Sequence, residues 1–86
     1  MDNKELEEVI LVLRSIKDDS TIPKNIKEKL DTAIVTLCQD NFEASIRIDK
    51  ALEELDSISD DPNTPTYTRV EVLNIISAIS LLGSKV

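Results

Sequence analysis

Apolar residues recur at steps of three and four along four stretches of this 86-residue chain. That spacing is typical of an α-helix that buries one face. It predicts helices over about residues 2–17, 23–39, 42–59 and 65–82. Gly83 is predicted to end the last helix in the left-handed conformation. Because helices joined by short connections pack as antiparallel neighbours, we expect an all-α fold, a four-helix up-and-down bundle forming a single domain over residues 1–86.

The two halves of the chain resemble each other when one is shifted by 42 residues. Each half reads as a helix, an acidic turn that ends in proline, and a second helix, which predicts two duplicated helical hairpins over residues 1–40 and 41–86. A period near 40 is also typical of HEAT-type arrays, which need about three or more units. We favour a closed bundle, because two helical hairpins can bury their apolar faces in it without a third unit. The identical pairs are Leu13–Leu55, Ser15–Ser57, Ile16–Ile58, Asp18–Asp60, Asp19–Asp61, Pro23–Pro65 and Ile34–Ile76.

The net charge of the chain and the lengths of its apolar runs argue against several classes of function. A net charge of −7 argues against nucleic-acid binding, because phosphate contacts need clustered Lys and Arg. Anionic membranes are disfavoured for the same reason. The longest uncharged stretch, residues 72–84, is shorter than the ~20 apolar residues that span a bilayer. Acidic residues precede any apolar run at the N-terminus, which is unlike a signal peptide. By elimination we expect a cytoplasmic protein.

The residue types that carry most catalysis are scarce. The chain has no His, so the one cysteine, Cys38, lacks a partner for nucleophilic or zinc chemistry, and we interpret it as a half-buried filler. No glycine-rich phosphate loop is present, and we expect neither enzyme activity nor a cofactor. An alternative function is small-molecule or divalent-metal binding by two Asp-Asp turns at one end of the bundle. The simpler interpretation is that these carboxylates satisfy N–H groups of turns and helix starts. The four residues are Asp18, Asp19, Asp60 and Asp61.

Two helices carry more apolar surface than one core covers. In the aligned halves, Leu11 and Val12 of the first helix stand where the third helix has Glu53 and Glu54. The fourth helix is uncharged over residues 72–84. Such a helix is covered on more than one side, either within the monomer or by another chain. We favour another chain, and hence a protein–protein interaction module that docks a second copy, as a homo-oligomer, or a helix of another protein. The predicted contact residues are Leu11, Val12, Val70, Leu73, Ile75 and Leu81.

The turn Asp-Asp-Pro-Asn-Thr-Pro over residues 60–65 is followed by Arg-Val-Glu-Val-Leu-Asn over residues 69–74. These segments resemble the Asn-Asp-Pro-Asn-x-Pro turn and Arg-x-Glu-x-x-Asn helix of a small archaeal family of uncharacterised all-helical proteins. Residues 19–26 are similar to its Asp-x-Ser-x-Pro-Arg-Asn-Ile segment. This chain departs from the family at Lys24 and Asp60, where the family has Arg and Asn. The resemblance covers nearly the whole chain and implies a short helical bundle from an archaeal cytoplasm, without an activity.

The motif residues are interpreted as structural. Proline and aspartate set the turns and the helix starts. Arg69 and Asn74 can hydrogen-bond carbonyl groups of the neighbouring turn, and Arg69 can also pair with Asp60 and Asp61. The motif residues to which we give this role are Pro23, Asn25, Asp61, Pro65, Arg69, Glu71 and Asn74.

Overall fold

Four helices form the described part of the protein. The computed structural model describes residues 3–39 and 41–83, the side chain of residue 3 excepted. No strand occurs within those ranges, and each helix begins and ends within two residues of its predicted bounds. The all-α prediction is therefore confirmed. The helices are α1 (Asn3–Lys17), α2 (Lys24–Cys38), α3 (Ala44–Asp60) and α4 (Thr66–Gly83).

The helices pack in a ring, in which the backbone of each described helix approaches those of its two neighbours and not that of the helix opposite. We call the line of contact between two neighbours a seam. Over the described residues, the α2/α3 seam is the most closely packed, and the α1/α4 seam is the most loosely packed. Because short segments connect them, consecutive helices run antiparallel, and α1 therefore also runs antiparallel to α4. This arrangement is the predicted four-helix bundle, with overall dimensions of 33 × 20 × 19 Å.

The core is aliphatic and lies along the axis of the ring. Each helix buries residues at steps of three and four, as the sequence pattern predicts. Burying one such side chain contributes roughly 1.5–3 kcal/mol, so these stripes are the main favourable term in folding. Side chains that are fully buried include Leu13, Ile26, Leu30, Leu37, Leu55, Ile58, Val72 and Ile79.

The two turns that precede α2 and α4 share their hydrogen bonds at the 42-residue shift. Asp19 Oδ1 accepts a hydrogen bond from Thr21 N at 2.9 Å, and Asp61 Oδ1 accepts one from Asn63 N at 2.8 Å. The backbone N–H of each aspartate donates to the helix carbonyl three residues earlier, at 3.1 and 3.2 Å. Aspartate is favoured in such turns because its carboxylate replaces a backbone acceptor. Duplicated hairpins predict this match; the duplication and the division into two hairpins stay predictions.

Gly83 ends α4, but not in the way we predicted. No described glycine has a positive φ, so Gly83 does not adopt the left-handed conformation. A Cβ atom built on it would lie 3.3 Å from Ile48 Cγ2 on α3, which is closer than ordinary van der Waals contact. The glycine therefore serves a close approach of α4 to α3.

Candidate functional site

The loosest seam of the ring contains a groove of about 630 Å³ between α1 and α4. Its volume lies within the range of about 300–1,000 Å³ that is typical of binding sites. Because the two helices are antiparallel, the N-terminal part of α1 lies beside the C-terminal part of α4. The lining residues are Glu5, Glu8, Val9 and Val12 of α1, and Glu71, Asn74, Ile75, Ala78, Leu81 and Leu82 of α4. We call this surface the α1/α4 groove.

The floor of the α1/α4 groove is the hydrophobic core itself. Val9, Ile75 and Leu82 line it and are only 9%, 6% and 5% exposed. Its walls are apolar and open to solvent, with Val12 45% and Leu81 66% exposed. Removing such surface from water gains roughly 25 cal/mol per Å², so a partner that covers the groove recovers free energy.

The predicted contact residues divide between the groove and the surface outside it. Val12 and Leu81 lie in the groove walls. Leu11, Val70 and Leu73 are also exposed, at 63%, 53% and 48%, but they do not line the groove. The structure thus places exposed apolar residues on both α1 and α4, and it brings only part of the predicted set together.

Ile75, one of the predicted contact residues, lies in the floor of the α1/α4 groove and not on its exposed walls. Its side chain is 6% exposed and belongs to the core cluster. The reason is its register on α4, where Val72, Ile75, Ile79 and Leu82 follow steps of three and four along one buried face. Ile75 therefore forms floor, and the exposed apolar residues of α4 lie on other faces.

Three solvent-accessible groove residues were given no role from the sequence: Glu5, Glu8 and Ala78. They lie beside the buried stripes, at steps of three and four from one another or from a neighbouring lining residue. Each looks like an ordinary solvent-facing position of an amphipathic helix. The available signal was the spacing of both walls, which is the heptad-like spacing of helices that receive a further helix.

Carboxylates flank the apolar walls. Glu8 on α1 and Glu71 on α4 both line the α1/α4 groove, and none of its described lining residues is basic. A hydrogen bond between Tyr67 and Glu71, together with the negative charge of Glu71, raises the pKa of Tyr67. The phenol of Tyr67 thus contacts a carboxylate of the groove rim.

Arg69 fastens the turn between α3 and α4 by donating to three backbone carbonyls. Nε donates to Ser59 O at 2.8 Å, and Nη2 donates to Asp61 O at 3.0 Å and Thr64 O at 3.3 Å. These carbonyls belong to the end of α3 and the turn, where helical partners are missing. Among the described residues, no ion pair joins Arg69 to the carboxylate of Asp60 or Asp61. Arg69 therefore acts on the turn through main-chain carbonyls.

Asp61 links the turn to α2. Its Oδ2 accepts from Asn25 Nδ2 at 3.3 Å and lies 3.5 Å from Lys29 Nζ, which also donates to Ser57 Oγ at 2.9 Å. Two motif residues, Asn25 and Asp61, are thus brought together from opposite halves of the chain. These bonds cross the α2/α3 seam at the end that carries both acidic turns.

The prolines and the two remaining motif residues have different surroundings. Pro23 is the N-cap of α2, one residue before the predicted position, and Pro65 likewise precedes α4. The Pro65 carbonyl accepts from Arg69 N at 2.9 Å. Asn74 and Glu71 line the α1/α4 groove, and no hydrogen bond joins Asn74 to the turn within the described chain.

The four aspartates do not gather into a cation site. Over residues 3–39 and 41–83, no group of three Asp, Glu or Cys side chains is placed to hold a metal ion. Asp61 is occupied by Asn25, Lys29 and its own turn. Hydrogen bonds from the side chain and the backbone of Thr21 hold the pKa of Asp19 below its usual value of 3.8. Hydrogen bonds within the turns thus account for the carboxylates of Asp19 and Asp61, in line with the simpler interpretation.

A second concavity, of about 640 Å³, lies between α1 and α2. It differs from the α1/α4 groove in its charge, because Arg14, Lys17 and Asp31 line it. An ion pair between Lys17 Nζ and Asp31 Oδ1, at 2.7 Å, joins the two helices there. Cys38 lies at its edge and is exposed, so our expectation of a half-buried filler was wrong.

A family model matches almost the whole chain: that of the uncharacterised protein family UPF0147 covers residues 1–82. The chain belongs to this family. A UPF0147 protein of Sulfurisphaera tokodaii is 33% identical over 74 residues, which are 86% of this chain and 83% of the relative. One of Thermoplasma volcanium is 32% identical over 83 residues, 96% of this chain and 93% of the relative. The predicted archaeal family is thereby confirmed.

Solved structures show the same fold. A crystal structure of a UPF0147 protein from Thermoplasma acidophilum superimposes with a TM-score of 0.88 at 31% identity, covering 94% of this chain and 95% of that one. A crystal structure of the protein of unknown function MMP1188 also gives a TM-score of 0.88, at 32% identity and with 93% and 91% coverage. Among the described residues, no helix is long and apolar enough to cross a membrane.

Proposed function

We propose that this UPF0147 protein is a non-enzymatic docking module that binds a helix of a partner in the α1/α4 groove. The observation that carries the proposal is an apolar, solvent-open groove whose floor is the core, at the loosest seam of the ring. An amphipathic helix laid into such a groove completes the packing that the seam lacks. We also propose that the protein acts in the cytoplasm, as expected from its sequence.

The chemistry of the groove supports binding rather than catalysis. Its described lining offers aliphatic side chains, one amide and carboxylates, but no nucleophile beside a base. Strongly perturbed acids and bases cluster at most active sites. Here the resolved pKa shifts belong to Asp19, in a turn, and to Tyr67, and each is explained by a neighbouring hydrogen bond.

Site-specific photo-crosslinking in the native host tests this proposal. A photoreactive residue is placed at Val12 or Ala78 in the groove, and, as matched controls, at Thr32 on α2 or Lys50 on α3, which are exposed and outside it. We expect discrete protein adducts from the two groove positions and none from the controls. The mass of the adduct distinguishes a second copy from another protein. Equal adducts at all four positions, or none at the groove, would contradict a docking role for this surface.

A further inference from the structure

The two walls of the α1/α4 groove have the spacing of surfaces that receive a helix. On α4 the lining residues Glu71, Ile75, Ala78 and Leu82 follow steps of four, three and four. On α1, the lining residues Glu5, Val9 and Val12 follow steps of four and three. Such spacing forms continuous ridges, between which the side chains of a third helix can pack. The groove length along α4, over Glu71–Leu82, is about 16 Å, or three turns of a helix.

The groove is acidic at its rim, and this charge selects among helices. Glu8 lies on the α1 wall, and Glu71 lies on the α4 wall toward the other end, since the helices are antiparallel. No described lining residue supplies a positive charge. A helix bound along the floor therefore passes carboxylates on both flanks, Glu5 and Glu8 on α1 and Glu71 on α4. Cationic side chains on that helix, about one to two turns apart, would reach both.

The same charges disfavour a second copy as the occupant. Two copies docked groove to groove would bring the acidic rim of one, with Glu8 and Glu71, against the acidic rim of the other, and no described lining residue places a base between them. Each copy also carries a net charge of −7. Like charges at an interface select against that pairing.

From the spacing, the length and the charge together we infer that the α1/α4 groove binds a basic amphipathic helix of about three turns from another protein. The inference rests on the proposed function, because it names the partner of the same groove. An apolar stripe of the bound helix would cover Val12, Ala78 and Leu81, while Lys or Arg side chains on its flanks would meet Glu8 and Glu71.

Peptide binding, measured by fluorescence anisotropy, tests the inference. The probes are three stapled 14-residue helices with one leucine stripe and with Lys, Gln or Glu on the flanks. The groove variant Glu8→Lys/Glu71→Lys is compared with Glu28→Lys/Glu53→Lys, which makes the same change in net charge on α2 and α3, outside the groove. We expect the Lys helix to bind the wild-type protein best. The groove variant should weaken that binding at least about tenfold, because its charges lie close to those of the helix. The control variant should weaken it less than about threefold, because salt screens charges that lie far apart.

Two further results separate the failure of the inference from the failure of the proposed function. Ala78→Gln fills the groove without a charge change and should abolish the binding of every helix. Equal binding of the Lys and Gln helices, lost in Ala78→Gln, would overturn the basic partner but keep the docking groove. Binding that both charge variants weaken equally would mean a general attraction of cations to an acidic protein and would overturn the inference. A dimer in sedimentation that Ala78→Gln dissociates would overturn it in favour of a second copy. No binding of any helix, or binding indifferent to Ala78→Gln, would overturn the proposed function as well.

Discussion

The α2/α3 and α1/α4 seams both consist mainly of aliphatic side chains, yet the two pairs of helices pack together to different extents. The α2/α3 seam is the closest packed, and fully buried alanines lie on both of its helices, Ala33 and Ala51. Small residues allow helix axes to approach closely. On α4 the alanine Ala78 is instead exposed in the α1/α4 groove. The two seams show that helices with the same spacing of apolar residues can make either a closed interface or an open one.

Polar tethers reinforce this contrast. At one end of the α2/α3 seam, Lys29 contacts both Ser57 and Asp61. At the other end, Arg47 Nη1 on α3 donates to Leu37 O on α2 at 3.1 Å. The pair is thus held at both ends, by bonds that also satisfy a helix C-terminal carbonyl. We expect the α2/α3 seam to carry the stability of the bundle, and the α1/α4 seam to carry its binding.

The largest expected effect is a difference in stability between two single variants, one with a core side chain truncated and one with a side chain of the α1/α4 groove truncated. Leu55→Ala, on α3, removes a fully buried side chain and should lower the free energy of unfolding by about 2–5 kcal/mol. Val12→Ala, in the groove wall, should change it by less than about 0.5 kcal/mol. Urea denaturation of both variants checks the pair. If Leu55→Ala leaves too little folded protein, Ile58→Val gives a milder core change of about 0.5–1.5 kcal/mol. Equal costs for Val12 and the core residue would contradict an open groove.

Arg69 and Lys27 stand 42 residues apart, at equivalent positions in the two halves of the chain. Removing each side chain compares what the two residues contribute to stability near the two turns. Arg69→Ala leaves three carbonyls without their donor and should cost about 2 kcal/mol. Lys27→Ala, the matched control, removes no side-chain hydrogen bond within the described chain and should cost less than about 0.5 kcal/mol. Thermal unfolding of the two variants measures the difference. A stable Arg69→Ala protein would mean that Arg69 has a role other than fastening the turn.

Two buried threonines near the start of α4 should respond in opposite directions to the same change. Thr64 Oγ1 donates to Ile58 O at 2.7 Å, so Thr64→Val should lower stability by about 1 kcal/mol. Thr68 is fully buried, and its Oγ1 has no hydrogen-bond partner within the described chain. Thr68→Val keeps the shape and removes that cost, so it should raise stability by up to about 1 kcal/mol. Urea midpoints that move in the same direction would contradict this assignment.

The smallest effect concerns pH and the first acidic turn. Since the folded-state pKa of Asp19 is lowered, its contribution to stability is present above the usual pKa and is lost as the pH falls through the lower, folded-state pKa. Asp19→Asn keeps an oxygen acceptor but not the charge. Its Tm should therefore fall less than that of the wild-type protein on acidification below about pH 4. Parallel Tm profiles from pH 2 to pH 6 would show that the carboxylate of Asp19 does not contribute in this way.

The fold was predictable because its determinants are local. The helical period of residues such as Leu13, Leu30 and Leu55 marks the buried face directly, and the proline turns mark where the helices start. Gly83 was misjudged because its role depends on Ile48, which lies 35 positions away in the sequence and on another helix. Long-range approach of this kind leaves no periodic signal.

The candidate site was predictable only in part. The surplus of apolar residues located exposed positions on α1 and α4, including Val12 and Leu81. Composition could not tell which residues of a uniformly apolar helix face inward, and it therefore did not separate the buried floor residue Ile75 from the exposed wall residue Leu81. The acidic rim was missed because Glu8 looks like any solvent-facing residue until α4 is packed beside it.

The most direct test of the open seam as the binding site is the mapping of backbone amide chemical shifts while the Lys-flanked helix is added to the wild-type protein. We expect shifts confined to residues 5–12 and 71–82, with the amides of the α2/α3 seam unchanged. Shifts centred on α2 and α3, or spread evenly over the acidic surface, would contradict it.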